Sequence, residues 1–223
     1  MENDTDRARF LFHYPLSIIH SSLPFGGERV RGKRTVGQYR TIDLILFAAM
    51  LVVFESLAVL AARRWFPGEP YTVSVVPAVT AIVMMRWGPW AGIHAALGGV
   101  VFCLLSGARP AHYAIYIGGN LLSLTALAVI RGWTAEGIRE SAGKSLLFAL
   151  AVTMLMQLGR AMVSLVFGAK LTAALGFFTT DTITTLFTLV LIWIVRRLDG
   201  VFEEQNHYLF RIHEQEKEER GGF

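Results

Sequence analysis

Apolar runs of close to twenty residues alternate with short polar or charged stretches between Ile42 and Val195. A helix needs about 20 predominantly apolar residues to cross the roughly 30 Å hydrocarbon core of a bilayer. The pattern therefore predicts an all-α integral membrane bundle of six transmembrane helices. Because the second predicted span is short and contains Pro77, we expect it to be kinked or partly unwound. The predicted spans are Ile42–Ala62, Tyr71–Met85, Gly88–Ser106, Ala111–Ile130, Lys144–Gly168 and Thr172–Val195.

More polar segments flank this apolar region at both ends of the chain. Residues 1–40 are predicted to form a cytoplasmic or membrane-surface N-terminal tail, residues 41–197 the six-helix transmembrane domain, and residues 198–223 a cytoplasmic C-terminal helix or tail. The N-terminal tail fits a membrane-surface segment and a disordered one equally well. The C-terminal segment fits both a short amphipathic helix and a solvated tail. Its apolar positions near helical spacing are Leu198, Phe202, Leu209 and Ile212.

The distribution of charge orients the predicted bundle. Charged residues make up 17% of the chain, whereas a typical soluble domain has about 25%. Of the 21 Lys and Arg residues, sixteen fall on the side of the two termini, four on the opposite side, and Arg160 lies within a span. Because cytoplasmic loops are enriched in Lys and Arg, both termini are predicted to be cytoplasmic in a multi-pass protein of the cell (plasma) membrane. The net charge of +4 is accordingly attributed to topology, and no nucleic-acid partner is expected.

An arginine inside the fifth predicted span is the main functional signal. A charged side chain near the bilayer centre costs from about 3 kcal/mol to above 10 kcal/mol, so it is retained where it is paired or faces a watery cavity. At about 1.5 Å of rise per residue, Arg160 lies about 12 Å below the outer surface and Glu55 about 10 Å. Asn120 and Asp181 lie about 13 Å deep, and Gln157 about 16 Å. These similar depths predict one shared polar site in the outer half of the bundle.

Two carboxyl groups face one guanidinium in this predicted site. Either one carboxyl is protonated, or a cationic or donor-rich ligand group enters. In the structural alternative, Arg160 forms a buried ion pair with Glu55 or Asp181 that only fixes the bundle. In the binding alternative, Arg160 pairs with a carboxylate or phosphate of the ligand or is balanced by Glu55. The candidate substrate-binding residues are Glu55, Tyr116, Asn120, Gln157, Arg160 and Asp181.

The cysteine and the intramembrane histidine predict no metal site and no cofactor. Cys103 is the only cysteine, so an intrachain disulfide is excluded and no Cys/His metal-binding spacing is present. His94 is predicted nearer the cytoplasmic side than the polar site. A hydrogen-bonded packing role is therefore favoured for His94 over a proton relay.

Small residues recur at four-residue spacing in the third predicted span, which allows helix backbones to approach closely. Six spans, cytoplasmic termini and a short second span followed by RWGPWAGIHAALGGVVFCLLSG resemble the S components of energy-coupling factor (ECF) transporters. The resemblance covers about Asp43–Val195 and implies a subunit that captures a vitamin or similar micronutrient from outside the cell. It also implies two kinds of partner, a transmembrane scaffold subunit and two cytoplasmic ATPases. These ATPases would supply the energy, since the chain itself has no Walker loop.

Two other functions compete with this interpretation. An intramembrane enzyme could use Glu55, Asp181 and His94 as acid and base. However, the sequence contains no GxSxG or HExxH motif, and His94 lies at a different depth, so the chain is predicted not to be an enzyme. The second alternative is a small membrane scaffold subunit of a cell-envelope complex, in which the intramembrane charges form a structural ion pair and the cytoplasmic tails bind partners.

Overall fold

A computed structural model of the chain describes residues 35–67, 73–205, 208–212 and 214–215. Every regular element within these ranges is helical, which confirms the predicted all-α fold for this part of the chain. Residues 1–34 of the predicted N-terminal tail lie outside the described residues. The helices are α1 (Val36–Trp65), α2 (Val76–Trp87), α3 (Ala91–Ser106), α4 (Pro110–Trp133), α5 (Ala135–Glu140), α6 (Ala142–Val166), α7 (Leu171–Thr180) and α8 (Thr182–Val195).

Polar caps determine where the first and sixth helices begin. Thr35 Oγ1 accepts a hydrogen bond from the backbone N–H of Gln38 (3.3 Å), and Gln38 Oε1 accepts one from the N–H of Thr35 (3.0 Å). This reciprocal pair is a capping box, so α1 begins at Val36, within the region 1–40 that was assigned to the tail. At α6, Ser141 Oγ accepts a hydrogen bond from the N–H of Lys144 (3.4 Å).

Five helical segments are long and apolar enough to cross a membrane, which indicates a multi-pass membrane protein. The second of them includes both α2 and α3, which the sequence analysis treated as separate spans. Taken alone, α2 has 12 residues and is about 18 Å long. The five segments are Val36–Trp65, Val76–Ser106, Pro110–Trp133, Ala142–Val166 and Leu171–Val195.

The segment Val76–Ser106 is a hairpin and not a straight rod. It turns at Gly88, whose backbone has φ 58° and ψ −123°, a conformation that residues other than glycine rarely adopt. In a straight helix, Val76 and Gly98 would be about 33 Å apart. In the structure they touch, since a Cβ atom on Gly98 would lie 2.3 Å from the Val76 side chain. Helices α2 and α3 therefore run antiparallel, and a short 3₁₀ turn, Gly88–Trp90, joins them.

The second predicted span is partly unwound at its start, which is one of the two expectations, but it is not kinked at Pro77. Pro77 lies in the first turn of α2, where the backbone N–H has no partner within the helix in any case. The non-helical backbone instead precedes the proline, at residues 73–75. Proline fits the first turn of a helix because its fixed φ angle is already helical, which favours a helix that starts close to Pro77.

Arg86 connects the beginning of α1 with the chain segment that follows α8. Its Nε and Nη2 donate hydrogen bonds to the Asp43 carboxylate (2.7 and 2.8 Å). Its Nη1 donates to the backbone carbonyls of Gly200 and Val201, the latter at 3.0 Å. The first part of α1, the α2–α3 turn and the chain after α8 therefore lie at the same end of the bundle.

Helix α6 is the centre of the bundle and α1 is its most exposed long helix. In the most apolar 18-residue windows, 50% of α6 is buried but only 17% of α1. Helix α6 packs against α2, α4, α5, α7 and α8. Phe202 is also fully buried, and its ring lies 6.4 Å from that of Phe148 on α6.

Residues 198–203 form turns, so the proposed helical spacing from Leu198 through Phe202 is wrong for that part. Gly200, with φ 68°, interrupts the helix there. Phe202 packs into the bundle itself instead of facing lipid or a partner. Beyond them, the described residues 205, 208–212 and 214–215 are helical.

Candidate functional site

Arg160 is the centre of a buried polar cluster. Its Nη1 lies 2.6 Å from Asp181 Oδ2 and donates a second hydrogen bond to Gln157 Oε1 (3.2 Å). Its Nε donates to Asn120 Oδ1 (2.8 Å). Gln157 Nε2 also donates to Asp181 Oδ2 (2.6 Å). All four side chains are at most 5% exposed, so the convergence predicted from their depths is present in the structure.

Asp181 reaches this cluster because the last apolar segment is broken at that residue. The sequence analysis predicted a continuous span over Thr172–Val195, but α7 ends at Thr180 and α8 starts at Thr182. Asp181 between them has φ −96° and ψ 14°. The surrounding sequence TTDTITT is rich in residues of low helix propensity. This composition was a usable signal for the break.

Glu55 lies in the same region but does not form an ion pair with Arg160. Its carboxylate accepts hydrogen bonds from Ser74 Oγ (2.9 and 3.0 Å) and from the backbone N–H of Val75 (2.9 Å). Of the two ion pairs considered from the sequence, the structure therefore contains the one with Asp181. Sequence reasoning missed Ser74, because residues 73–75 were assigned to the second span. Ser74 lies in the non-helical backbone just before α2, and from there its hydroxyl group donates a hydrogen bond to the Glu55 carboxylate.

Two glycines bring α4 and α6 into backbone contact beside the cluster. A Cβ atom on Gly159 would lie 2.2 Å from the carbonyl oxygen of Gly119, and one on Gly119 would lie 2.5 Å from the backbone N of Arg160. This close approach places Asn120 within hydrogen-bonding distance of Arg160. Asn120 Nδ2 in turn donates to the carbonyl oxygen of Ala95 on α3 (2.9 Å), which connects three helices at one level.

Helix α4 is irregular on both sides of Asn120. Residues Ala114–Gly118 form a π-helical turn, and residues Leu122–Ala126 form a 3₁₀ turn. Single π-helical turns within α-helices occur frequently at functional sites. Here the π-helical turn carries Tyr116, the aromatic candidate from the sequence.

Tyr116 covers the guanidinium of the cluster. Arg160 Cζ lies 4.8 Å from the centroid of the Tyr116 ring, which is cation–π geometry. The same ring stacks on Phe102 with centroids 4.5 Å apart and meets the edge of Phe177 at 6.1 Å. The aromatic group predicted near the outer surface therefore contributes directly to the surroundings of Arg160.

A small cavity lies between these residues. It offers about 10 Å³ to the centre of a water molecule, which is room for about one water. Part of its wall is apolar and comes from Val76, Gly98, Gly99 and Phe102. Gln157 supports Arg160 and Asp181 but does not line the cavity. The polar and aromatic residues that do line it are Glu55, Ser74, Tyr116, Asn120, Arg160 and Asp181.

His94 lies apart from this cavity. It is buried, and its Nε2 lies 3.0 Å from the carbonyl oxygen of Leu44 on α1. This contact is the kind of helix-to-helix hydrogen bond expected of a packing histidine. Within the described ranges, no group of three or more His, Cys, Asp or Glu side chains is arranged to hold a metal ion.

Comparison with protein-family models, with curated proteins and with solved structures finds no match to this chain. The inference of function therefore depends on the geometry of the chain itself and on the resemblance described from its sequence.

Proposed function

We propose that this protein is a membrane-embedded substrate-binding subunit, similar to the S components of ECF transporters. In this proposal it lies in the plasma membrane with both termini in the cytoplasm, and α2 and α3 are the second and third of six spans. It captures a vitamin or similar micronutrient from the outer side and has no catalytic role. A transmembrane scaffold subunit and two cytoplasmic ATPases complete the transporter.

One observation carries the proposal: buried polar side chains from separate parts of the chain surround a single cavity at membrane depth. Arg160 and Asn120 come from two helices, Glu55 from a third, and Asp181 from the break between α7 and α8. A structural ion pair needs one acid and one base. It does not account for the second buried carboxyl group of Glu55 or for its hydrogen bond with Ser74.

The irregular backbone around the cavity also supports binding. Non-helical backbone within a membrane is tolerated where it is buried in protein or lines a cavity. Three such irregularities meet here: the π-helical turn at Tyr116, the break at Asp181 and the irregular residues before α2. Because the cavity has room for only about one water, binding a micronutrient requires the surrounding helices to part. The breaks are the positions at which a helix bends most easily.

The proposal is tested by native mass spectrometry of the full chain in mild detergent after growth in rich medium, with identification of any bound small molecule. We expect a stoichiometric micronutrient in the wild type and its loss in Arg160→Ala and Tyr116→Leu. The second variant leaves the Arg160–Asp181 ion pair in place. Arg139→Ala is the matched control, since Arg139 pairs with Glu203 (2.7 Å), away from the cavity. An empty wild type, or equal retention in all variants, would contradict the proposal.

The scaffold alternative is favoured by one specific feature, the nearly closed cavity around an arginine that already has three acceptor residues. In that case Tyr116→Leu leaves cellular function intact, and truncation of the cytoplasmic tail abolishes it. The truncation has to begin at residue 206, because Gly200 and Val201 accept hydrogen bonds from Arg86 and Phe202 is part of the core.

A further inference from the structure

The charge balance of the cavity indicates which class of molecule it accepts. Arg160 and Asp181 form a 2.6 Å ion pair, so their formal charges cancel. Asn120 and Gln157 accept further hydrogen bonds from the same guanidinium. Because Asp181 already balances its charge, Arg160 attracts a carboxylate or phosphate on a ligand less strongly than an unpaired arginine would.

Glu55 is the second buried acidic side chain of the cavity, and it does not share the Arg160–Asp181 ion pair. Its side chain is 1% exposed, and among the described residues its carboxylate accepts hydrogen bonds only from the neutral donors of Ser74 and Val75. Within the described part of the chain, no Lys, Arg or His nitrogen lies within 4.0 Å of this carboxylate. An ionised carboxylate without a partner is strongly disfavoured out of water. A cation placed beside Glu55 would stabilise the charged form of this side chain.

The aromatic residues of the cavity favour the same sign of charge. Tyr116 and Phe102 line it together with Glu55, and their ring centroids are 4.5 Å apart. The face of an aromatic ring carries negative electrostatic potential and attracts ammonium-type cations. An anion entering the cavity would meet the acidic side chains of Glu55 and Asp181, against the single guanidinium of Arg160.

We propose that this cavity binds a cationic nitrogen of an organic molecule, with Glu55 as its counter-ion and Tyr116 and Phe102 as its aromatic wall. This inference rests on the proposed function, because it names the class of ligand for the same site. The cavity has room for about one water molecule, and an ammonium group is only slightly larger. The cationic nitrogen therefore occupies the deepest position, while the remainder of the molecule extends toward the surface between the parted helices.

The test uses three small probes that share a phenyl ring and differ in charge: 2-phenylethylammonium, 2-phenylethanol and phenylacetate. Each is added to the full chain in mild detergent, and binding is followed by the shift in thermal unfolding and by ligand-observed NMR. We expect 2-phenylethylammonium to bind best and phenylacetate worst. In Glu55→Gln, the affinity for 2-phenylethylammonium is expected to fall by about tenfold or more. Glu55→Asp, which keeps the charge, and Glu203→Gln, which lies outside the cavity, should retain the preference.

Each other outcome overturns the inference. Equal or better binding of 2-phenylethanol or phenylacetate shows that the site binds small molecules without selecting cations, so the proposed function survives and the ligand class is wrong. Equal stabilisation by potassium chloride shows a site for inorganic cations. If no probe binds, the inference is wrong, and the mass-spectrometry experiment, which does not depend on ligand charge, decides the proposed function separately. If Glu55→Gln fails to fold, the ranking of the probes on the wild type decides alone.

Discussion

Removing Arg160 alone is expected to destabilise the protein more than removing the charges of Arg160 and Asp181 together. Arg160 is 4% exposed and Asp181 is 5% exposed. In Arg160→Met, the apolar part of the side chain is largely preserved, but the Asp181 carboxylate loses its cationic partner. Removing one member of a buried ion pair costs about 3–5 kcal/mol. Since folded proteins are stable by roughly 5–15 kcal/mol, this is a large fraction of the total.

The double variant shows whether the loss of stability in Arg160→Met comes from the missing ion pair or from the Asp181 carboxylate that remains without Arg160. With Arg160→Met and Asp181→Asn combined, neither buried charge of the pair is left, so we expect a stability within about 2 kcal/mol of the wild type. Equilibrium unfolding in mixed detergent micelles, followed by circular dichroism, measures all members of the cycle. Arg139→Met is the control, because its 25% exposed side chain is expected to contribute only about 0–1 kcal/mol through its ion pair.

Two results would refute this reasoning. If the double variant loses the sum of the two single losses, the side chains of Arg160 and Asp181 do not interact in the folded protein. If Arg160→Met costs no more than Arg139→Met, the arginine is not held in the buried position that the structure gives it. Either result would contradict the conclusion that the charges of Arg160 and Asp181 cancel each other in the cavity.

Three further predictions concern packing and the opposite end of the bundle. Gly159→Ala should destabilise the folded protein by about 1–3 kcal/mol, because the added Cβ would lie 2.2 Å from a backbone oxygen. Gly176→Ala should stabilise it by about 0.5–1 kcal/mol, because the added Cβ would meet no atom of another part of the chain within 4 Å. Equal thermal stability of the two variants would contradict the close contact between α4 and α6. Thr80→Val should be stabilising by about 1 kcal/mol in chemical unfolding, since the buried Thr80 hydroxyl has no hydrogen-bond partner among the described residues, and a clear loss of stability would indicate a partner that the structure lacks. Arg86→Met should raise protease cleavage after residue 200 without changing ligand retention, because Arg86 joins Asp43 to the chain after α8; unchanged cleavage would show that this contact does not hold the segment.

Much of the architecture follows from local sequence properties. The lengths of the apolar runs identified α1, α4 and α6, because the thickness of a membrane sets the length of a spanning helix. Depth along each helix also brought Arg160, Asn120 and Asp181 to one level, since the rise per residue is constant. The turn at Gly88 agrees with the assignment of Tyr71–Met85 and Gly88–Ser106 to two separate segments.

The depth of a residue, estimated from its position in the sequence, does not give the rotation of each helix about its own axis. Glu55 and Asp181 both have suitable depths, and only the packed structure places Asp181 against Arg160 and Glu55 against Ser74. The outcome depends on Gly119 and the other small residues that let helices touch, which are contacts between distant parts of the sequence.

The sequence by itself determined that this chain forms apolar helices with a shared level of polar groups, because hydrophobicity and helix rise are local properties. The tertiary structure decided which polar groups meet, where the helices break and how little space remains between them. Those features arise when the helices pack, since Asp181 and Ser74 reach the cavity from backbone that leaves the helical conformation. The separation of Glu55 from the Arg160–Asp181 ion pair, and with it the inferred preference for a cation, is a consequence of that packing.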